Sequence, residues 1–222
     1  METYRKSWNK KQTKFRKLLL SNQQHPEAMD MFFSQHAQLH SAQMVQTEPW
    51  SFADWVLDDM TEAQIRRIPH NCEHSVAWLL WHMARIEDTA INLLVAGTPQ
   101  LFLQENWRQK INAPIQHTGN SMNAEEVVEL SATIDIDSLL AYRLAVGHRT
   151  REIVQQLTST ALKQKVNPGR IQTVMDEGAI IDEAQGIADY WSKRTIAGLL
   201  LMPATRHNYV HLNEALKLKR RR

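Results

Sequence analysis

Four long stretches of this sequence repeat their apolar side chains at helical spacing, and this repeat constrains the fold more than any other feature. It is clearest in EHSVAWLLWHMARIEDTAINLLVAG (73–97), where one face carries Ser75, Leu79, His82, Ile86 and Leu93. No segment gives a convincing strand pattern. Seven glycines and seven prolines are also too few for the many tight turns of an all-β chain. The sequence therefore predicts an all-α protein, a four-helix bundle.

Local signals place the ends of these helices. Pro26 suits a first helical turn, Gly97 suits a helix end, and Pro203 should kink the last long helix. The long helices are predicted at 26–46, 73–97, 137–157 and 182–217. Extra short helices are expected between 51 and 68, with Thr61 as a cap, near 103–112, and at 124–133 after Asn123. Residues 158–182 are predicted to be a long connection that turns at Pro168–Gly169.

Charge is distributed unevenly along the 222 residues, although the formal net charge is only +2. Residues 1–17 carry seven basic side chains and one acidic side chain, and residues 217–222 carry five basic side chains. The middle of the chain, 18–216, carries 14 basic and 23 acidic side chains. We therefore divide the chain into a basic N-terminal extension (1–24), a helical domain (25–217) and a basic tail (218–222). An acidic body disfavours nucleic acid, so we expect solvated ends or contacts within a homodimer.

The chain has no apolar run of the ~18 residues that a membrane helix needs. Its single cysteine, Cys72, excludes an intramolecular disulfide framework and favours a reducing compartment. We expect a cytoplasmic protein without a membrane span.

Histidines provide the candidate chemistry. Imidazoles four residues apart lie on one helical face and can reach a common ion. Three such pairs occur: His36/His40, His70/His74 and His207/His211. Ten histidines placed at random in 222 residues would give only about half of one such pair. We interpret His70/His74 as structural or exposed. His36/His40 also points inward, either as core histidines with backbone or carboxylate partners or as alternative ligands.

Spacing alone does not choose between His36/His40 and His207/His211. The residue after His207 is asparagine, so the pair is not the H-E-x-x-H motif of metalloproteases. His82 lies in the middle of the buried stripe of the second long helix. It is a candidate third ligand beside the His207/His211 pair. Glu214, one turn beyond His211, is a candidate to support an imidazole, to act as an extra ligand, or to remain in solvent.

The segment AWLLWHMARIEDT (77–89) resembles the second helix of the DinB-like superfamily, and TRHNYVHLNEAL (205–216) resembles the end of its last long helix. The family's segment that leads to its first ligand is similar to TEAQIRRIPHNCEHSVAWLLWH. Its third helix is similar to AYRLAVGHRTREIVQQL. The resemblance covers about residues 26–217 and implies a DinB-like four-helix bundle. It further implies one divalent transition metal ion (zinc, nickel or iron) held by His82, His207 and His211.

The resemblance also suggests a reaction, because the family includes transferases and isomerases that use low-molecular-weight thiols. A metal-dependent thiol transferase acting on a small electrophile is therefore the leading hypothesis. Candidates to line its pocket are Trp78, Trp81, Arg85 and Tyr190. The alternatives are a non-catalytic metal-binding or stress-response protein, and a module that holds an acidic partner through its basic ends. Cys72 lies too far along the chain from His82 to be a good nucleophile, so the thiol would come from outside.

Overall fold

A computed structural model describes residues 2–21, 24–45 and 50–221. Within these ranges the chain is helical, and the β-type pairing is confined to an isolated bridge between Lys165 and Thr195. The first half contains α1 (Glu2–Leu20), α2 (His25–Leu39), a 3-10 turn (Ala42–Met44), α3 (Phe52–Leu57), α4 (Glu62–Arg66), α5 (Val76–Asp88), a π-helical continuation (Thr89–Ala96), α6 (Leu101–Gln104) and α7 (Trp107–Lys110). The predicted all-α class is confirmed.

The second half completes the bundle. It contains α8 (Ala124–Thr133), α9 (Ile136–Gln155), α10 (Ser159–Lys163), α11 (Pro168–Asp176), a 3-10 turn (Asp182–Ala184), α12 (Gln185–Ser192), α13 (Ile196–Leu201), a π-helical stretch (Met202–His207) and α14 (Asn208–Arg220). The long helix α5 packs against both α9 and α14, and α2 packs against α9 and α14. No helix of the described residues is long and apolar enough to cross a bilayer.

The helix α5 is the centre of the bundle, and every one of its residues is buried. Its start is fixed by Ser75, whose hydroxyl accepts a hydrogen bond from the backbone N–H of Trp78 at 2.9 Å. Gly97 ends its π-helical continuation with φ of 72°, a left-handed conformation that favours glycine. The predicted helix at 73–97 and its glycine stop are therefore confirmed.

The basic N-terminal segment differs from the solvated extension that its charge predicts. Residues 2–20 form α1, which packs on α2 and α13 and buries one face, including Trp8 and Phe15. The Trp8 ring stacks on Tyr209 of α14, with ring centroids 4.4 Å apart. Charged residues on the outer face mask this apolar stripe in the composition, so net charge alone was a poor guide. The domain limits at residues 24 and 217 stay predictions.

The fourth predicted helix, 182–217, is not continuous. It is interrupted at Lys193–Thr195, and the Thr195 hydroxyl accepts a hydrogen bond from the N–H of Gly198 to start α13. After Leu201 the helix widens to π-helical pairing across Pro203, which has no N–H to donate. The kink predicted at Pro203 stays a prediction; what the structure shows there is a local widening of the helix.

Two further boundaries were predicted wrongly. The first long helix ends at Leu39 rather than near 46, because His40 takes an extended backbone conformation and Ser41 caps a separate turn; residues 46–49 lie outside the described residues. The connection 158–182 contains two helices, and Pro168 begins the second of them after the cap Asn167. A proline in the first helical turn is favourable, so Pro168–Gly169 starts a helix here.

Candidate metal centre

Three histidines from two helical segments converge in the bundle. His82 lies on α5, His207 ends the π-helical stretch, and His211 lies one turn further on α14. One ring nitrogen of each lies within 4.8 Å of the others. His82 is buried, and the other two are partly exposed. The structure thus brings together the three residues that the resemblance implies.

The separation of two ring nitrogens fits a shared ion. The Nε2 atoms of His82 and His207 are 3.2 Å apart. Two nitrogens bound at ~2.0–2.1 Å with a tetrahedral angle would lie about 3.3 Å apart. The observed distance therefore matches two ligands of one tetrahedral centre.

The hydrogen bonds of the Nδ1 atoms of His82 and His211 determine which nitrogen of each ring can bind a metal. His82 Nδ1 lies 2.6 Å from the backbone oxygen of Thr118. A carbonyl oxygen can only accept, so Nδ1 carries the proton and Nε2 keeps a free lone pair. His211 Nδ1 lies 3.0 Å from Oε2 of Glu214, and the same reasoning leaves its Nε2 as the ligand atom.

Glu214 supports two imidazoles. Its other carboxylate oxygen, Oε1, lies 3.6 Å from Nδ1 of His74, and the His74 ring stacks on Trp78 at 3.7 Å. The hydrogen bond with His211 and the electrostatic contact with His74 lower the pKa of the Glu214 carboxyl to about 2. Glu214 is therefore a carboxylate at neutral pH and orients His211 rather than remaining in solvent.

Burial favours the neutral form of two of the rings, His82 and His207. Desolvation lowers the pKa of His82 to about 3 and also lowers that of His207. Neutral imidazoles bind a metal without first losing a proton. His207 Nδ1 is buried without a partner among the described residues, so its ring orientation depends on packing and on Nε2. The donor set and burial of these residues fit a divalent transition metal.

A second cluster contains the other inward-facing histidine pair. His36 on α2, His40 directly after the end of α2, and Glu87 on α5 also bring three ligand-type atoms within 4.8 Å of one another. All three residues are buried. Here the nitrogens face a carboxylate: His36 Nε2 lies 2.8 Å from Oε1 and His40 Nε2 lies 3.1 Å from Oε2. Hydrogen bonds of this length satisfy both Nε2 atoms and the carboxylate without an ion, as expected for core histidines with a carboxylate partner, although His36 Nδ1 is buried without a partner among the described residues.

The aromatic and basic pocket candidates occupy different surroundings. Trp78 stacks on the His82 ring with centroids 4.6 Å apart, so it lies at the centre. Trp81 is fully buried beside the loop that carries Thr118. Arg85 is also fully buried, and its guanidinium donates to side chains and a carbonyl oxygen away from the three rings. Tyr190 lies under the guanidinium of Arg194, on the wall of a separate cavity.

Sequence reasoning missed Thr118 and Glu87, and it interpreted His74 only as structural or exposed, without its contact to Glu214. The Thr118 contribution is a backbone oxygen, which leaves no residue-type signal. The adjacent Gly119 has φ of 90°, and a Cβ there would lie 2.7 Å from the Trp81 ring. Its glycine was the available hint that this loop approaches α5 closely.

Comparisons with known proteins agree with this architecture. The sequence profile of the DinB superfamily matches residues 48–215, a range that contains all three histidines. The crystal structure of a conserved protein from Enterococcus faecalis is similar with a TM-score of 0.57, over 85% of this chain and 94% of that chain. At 19% identity this similarity concerns the fold alone. No curated protein matches the chain.

Proposed function

Because the chain belongs to the DinB superfamily, we propose that its three-histidine centre holds one divalent transition metal ion in a metal-dependent enzyme. The substrates of the proposed reaction are a low-molecular-weight thiol and a small electrophile. The observation that carries the proposal is the convergence of one ring nitrogen from each of His82, His207 and His211 within 4.8 Å of one another. Zinc, nickel and iron all suit imidazole ligands.

Three neutral ligands leave both the charge of the ion and a coordination position available. A divalent ion in such a site lowers the pKa of a thiol or water placed there, and so supplies a nucleophile at neutral pH. The protein's own part is to hold the three rings. Thr118 and Glu214 fix His82 and His211 from behind, and Trp78 stacks on the face of His82.

Space for a small substrate exists beside these supporting groups. A cavity of about 490 Å³ is lined by His74, Met122 and Cys72, among others. His74 and Met122 both contact Trp78, which in turn stacks on His82. This volume is within the usual range for small-molecule sites. The three histidines do not line this cavity, which is linked to His82 only through Trp78, so it offers space for a small ligand beside the supporting groups.

A second candidate function is non-catalytic metal binding. The burial of His82, together with a carboxylate at His211, is also what a stabilising structural ion requires. An ion that binds only the folded state raises the free energy of unfolding. The two candidates differ in whether a thiol is activated.

The metal assignment is tested by elemental analysis of the purified protein beside a His82→Ala/His207→Ala variant. The matched control is His70→Ala/His148→Ala, which removes two exposed histidines. We expect about one ion per chain in the wild type and control, and loss of that ion in the first variant. Equal metal content in all three proteins would refute the ligand assignment.

The reaction is tested with the metal-loaded protein. Cysteine, glutathione and coenzyme A are each supplied with an activated aryl chloride, and chloride release is followed as the thiolate displaces it. The enzyme hypothesis predicts acceleration by at least one thiol that disappears in His82→Ala/His207→Ala. Full metal loading without any such acceleration would favour the non-catalytic function.

A further inference from the structure

A second cavity, outside the metal centre, is lined by cations without any acidic side chain. It has a volume of about 690 Å³ and lies between α1, the end of α12, α13 and the π-helical stretch. Its wall contains Arg16, Lys193, Arg194 and Arg206. Within the described part of the chain, none of the four forms a salt bridge with a carboxylate. Such a concentration of positive charge contrasts with the acidic body of residues 18–216.

Arg194 is held in place with an unused donor. Its guanidinium packs over the Tyr190 ring at 4.0 Å, and its Nε is buried without an acceptor among the described residues. An unpaired buried donor is costly unless a partner supplies an oxygen. Guanidinium groups bind phosphate and carboxylate oxygens particularly well. The Arg194 guanidinium therefore has an unused donor that suits an oxygen of an anion.

Gln12 adds an unused acceptor to the same cavity. It is only 7% exposed, and its Nε2 donates to the Leu201 oxygen at 3.0 Å and to Thr205 Oγ1 at 3.2 Å. These bonds fix the orientation of the amide, because a carbonyl oxygen needs a donor. Gln12 Oε1 is left buried without a partner. A ligand that satisfies it must carry an O–H or N–H group.

We propose that this cavity, which we call the basic cavity, binds a small phosphorylated molecule that also carries hydroxyl groups. A phosphate monoester carries about −1.5 to −2 charges at neutral pH, which suits several cations better than a single carboxylate does. Its hydroxyl groups supply the donor that Gln12 lacks. Leu19, Ala197 and Leu201 provide an apolar floor, and the volume suits a small organic ligand rather than a bare ion.

The test compares three probes by isothermal titration calorimetry at low salt: ribose 5-phosphate, inorganic phosphate and ribose. We expect ribose 5-phosphate to bind at least about tenfold more tightly than inorganic phosphate, and ribose not to bind measurably. Equal binding of the two phosphates, or no binding of either, would overturn the proposal.

Variants locate the site. Arg16→Gln/Arg194→Gln removes two cations of the basic cavity, and Lys10→Gln/Lys14→Gln removes two exposed cations of α1 that do not line it. We expect affinity for ribose 5-phosphate to fall about tenfold or more in the first and to stay within about twofold in the second. The single variant Arg206→Gln, at an exposed position, should also weaken binding and serves if the double variant does not fold. Equal losses in both double variants would indicate non-specific attraction and refute the assignment.

Longer polyanions provide the remaining comparison. A single-stranded oligonucleotide and vesicles containing phosphatidylserine are titrated under the same conditions. If either binds more tightly than ribose 5-phosphate and depends on Lys10 and Lys14, the basic surface serves a macromolecule or membrane and the proposal is wrong.

Discussion

Glu87 joins four helices of the bundle through its carboxylate, and Glu87→Gln measures what that junction contributes. Its Oε1 accepts hydrogen bonds from His36 Nε2 and Thr150 Oγ1, each at 2.8 Å. Oε2 accepts from His40 Nε2 at 3.1 Å and Asn208 Nδ2 at 2.5 Å. The donors come from α2 and the residue that follows it, from α9 and from α14, and Glu87 itself lies on α5. Removing one oxygen therefore affects contacts between all four.

The magnitude follows from the four bonds. Glutamine keeps one oxygen and presents an NH2 group to the two donors that faced the other. Two hydrogen bonds to a charged group are worth about 3–6 kcal/mol together. Asn208 can recover one contact by turning its amide, since its Oδ1 has no other partner among the described residues. Removing a buried charge also recovers some desolvation cost. We expect a net loss of about 3 kcal/mol in the free energy of unfolding.

The assay is urea denaturation of wild type and Glu87→Gln between pH 7 and pH 3. Burial raises the pKa of the Glu87 carboxyl, but the electrostatic attraction of His40 and His36, together with their hydrogen bonds, outweighs burial and holds that pKa well below its ordinary value. A depressed folded pKa gives stability that is complete above the unfolded pKa of about 4.3 and is lost as pH falls through the lower folded value. The difference in free energy of unfolding between wild type and Glu87→Gln should therefore be constant near neutral pH and become smaller only below about pH 4.

The matched control is Glu152→Gln on α9, an exposed glutamate paired with Arg149. It should change stability by less than about 0.5 kcal/mol. A Glu87→Gln loss below about 1 kcal/mol at pH 7 would refute the charged junction. A difference that does not narrow in acid would show that the lost interactions do not depend on the carboxylate charge.

Three further outcomes follow from the same structure. Glu214→Gln should weaken metal affinity about tenfold in a chelator competition, because the amide supports His211 less well than a carboxylate does; unchanged affinity would contradict this role. Gly119→Ala should lower the free energy of unfolding by at least about 1 kcal/mol in urea, because φ there is 90° and a Cβ meets Trp81; wild-type stability would argue against the close approach. Burial lowers the pKa of His36 to about 4, so below about pH 6.5 the unfolded chain binds more protons than the folded chain does. The urea midpoint should therefore fall as the pH drops from about 6.5 towards 4. A midpoint that does not fall in this window would contradict a neutral buried His36.

The sequence was sufficient for the helical class because helical periodicity is a local property. Buried stripes, caps such as Thr61 and Asn123, and the stop at Gly97 depend on a few neighbouring residues. The packing of α1 was missed because it depends on partners far along the chain, such as Tyr209 beneath Trp8. The break at 193–195 was missed for a different reason: Thr195 forms a cap inside a segment whose apolar spacing continues on both sides.

The three proposed ligands could be chosen only with the help of the resemblance, whereas the groups that support them became visible only in the structure. His36/His40 and His207/His211 have the same spacing, and both pairs point inward. Only the groups opposite them distinguish the pairs, and Glu87 is 47 residues from His40 while Thr118 is 36 from His82. Sequence spacing within one helix carries no information on such partners.

Consecutive residues of the last helix connect the two histidine clusters. His207 reaches towards His82, and the next residue, Asn208, donates to Glu87. The position of His207 is therefore tied to a carboxylate that also holds α2 and α9. If the three-histidine centre holds a divalent ion, as proposed, imidazole ligands supply it no negative charge, and the ionised Glu87 beyond Asn208 would be the buried charge that complements it. A variant that weakens the Glu87 junction should consequently lower metal affinity as well as stability, although Glu87 is not itself a ligand of the three-histidine centre.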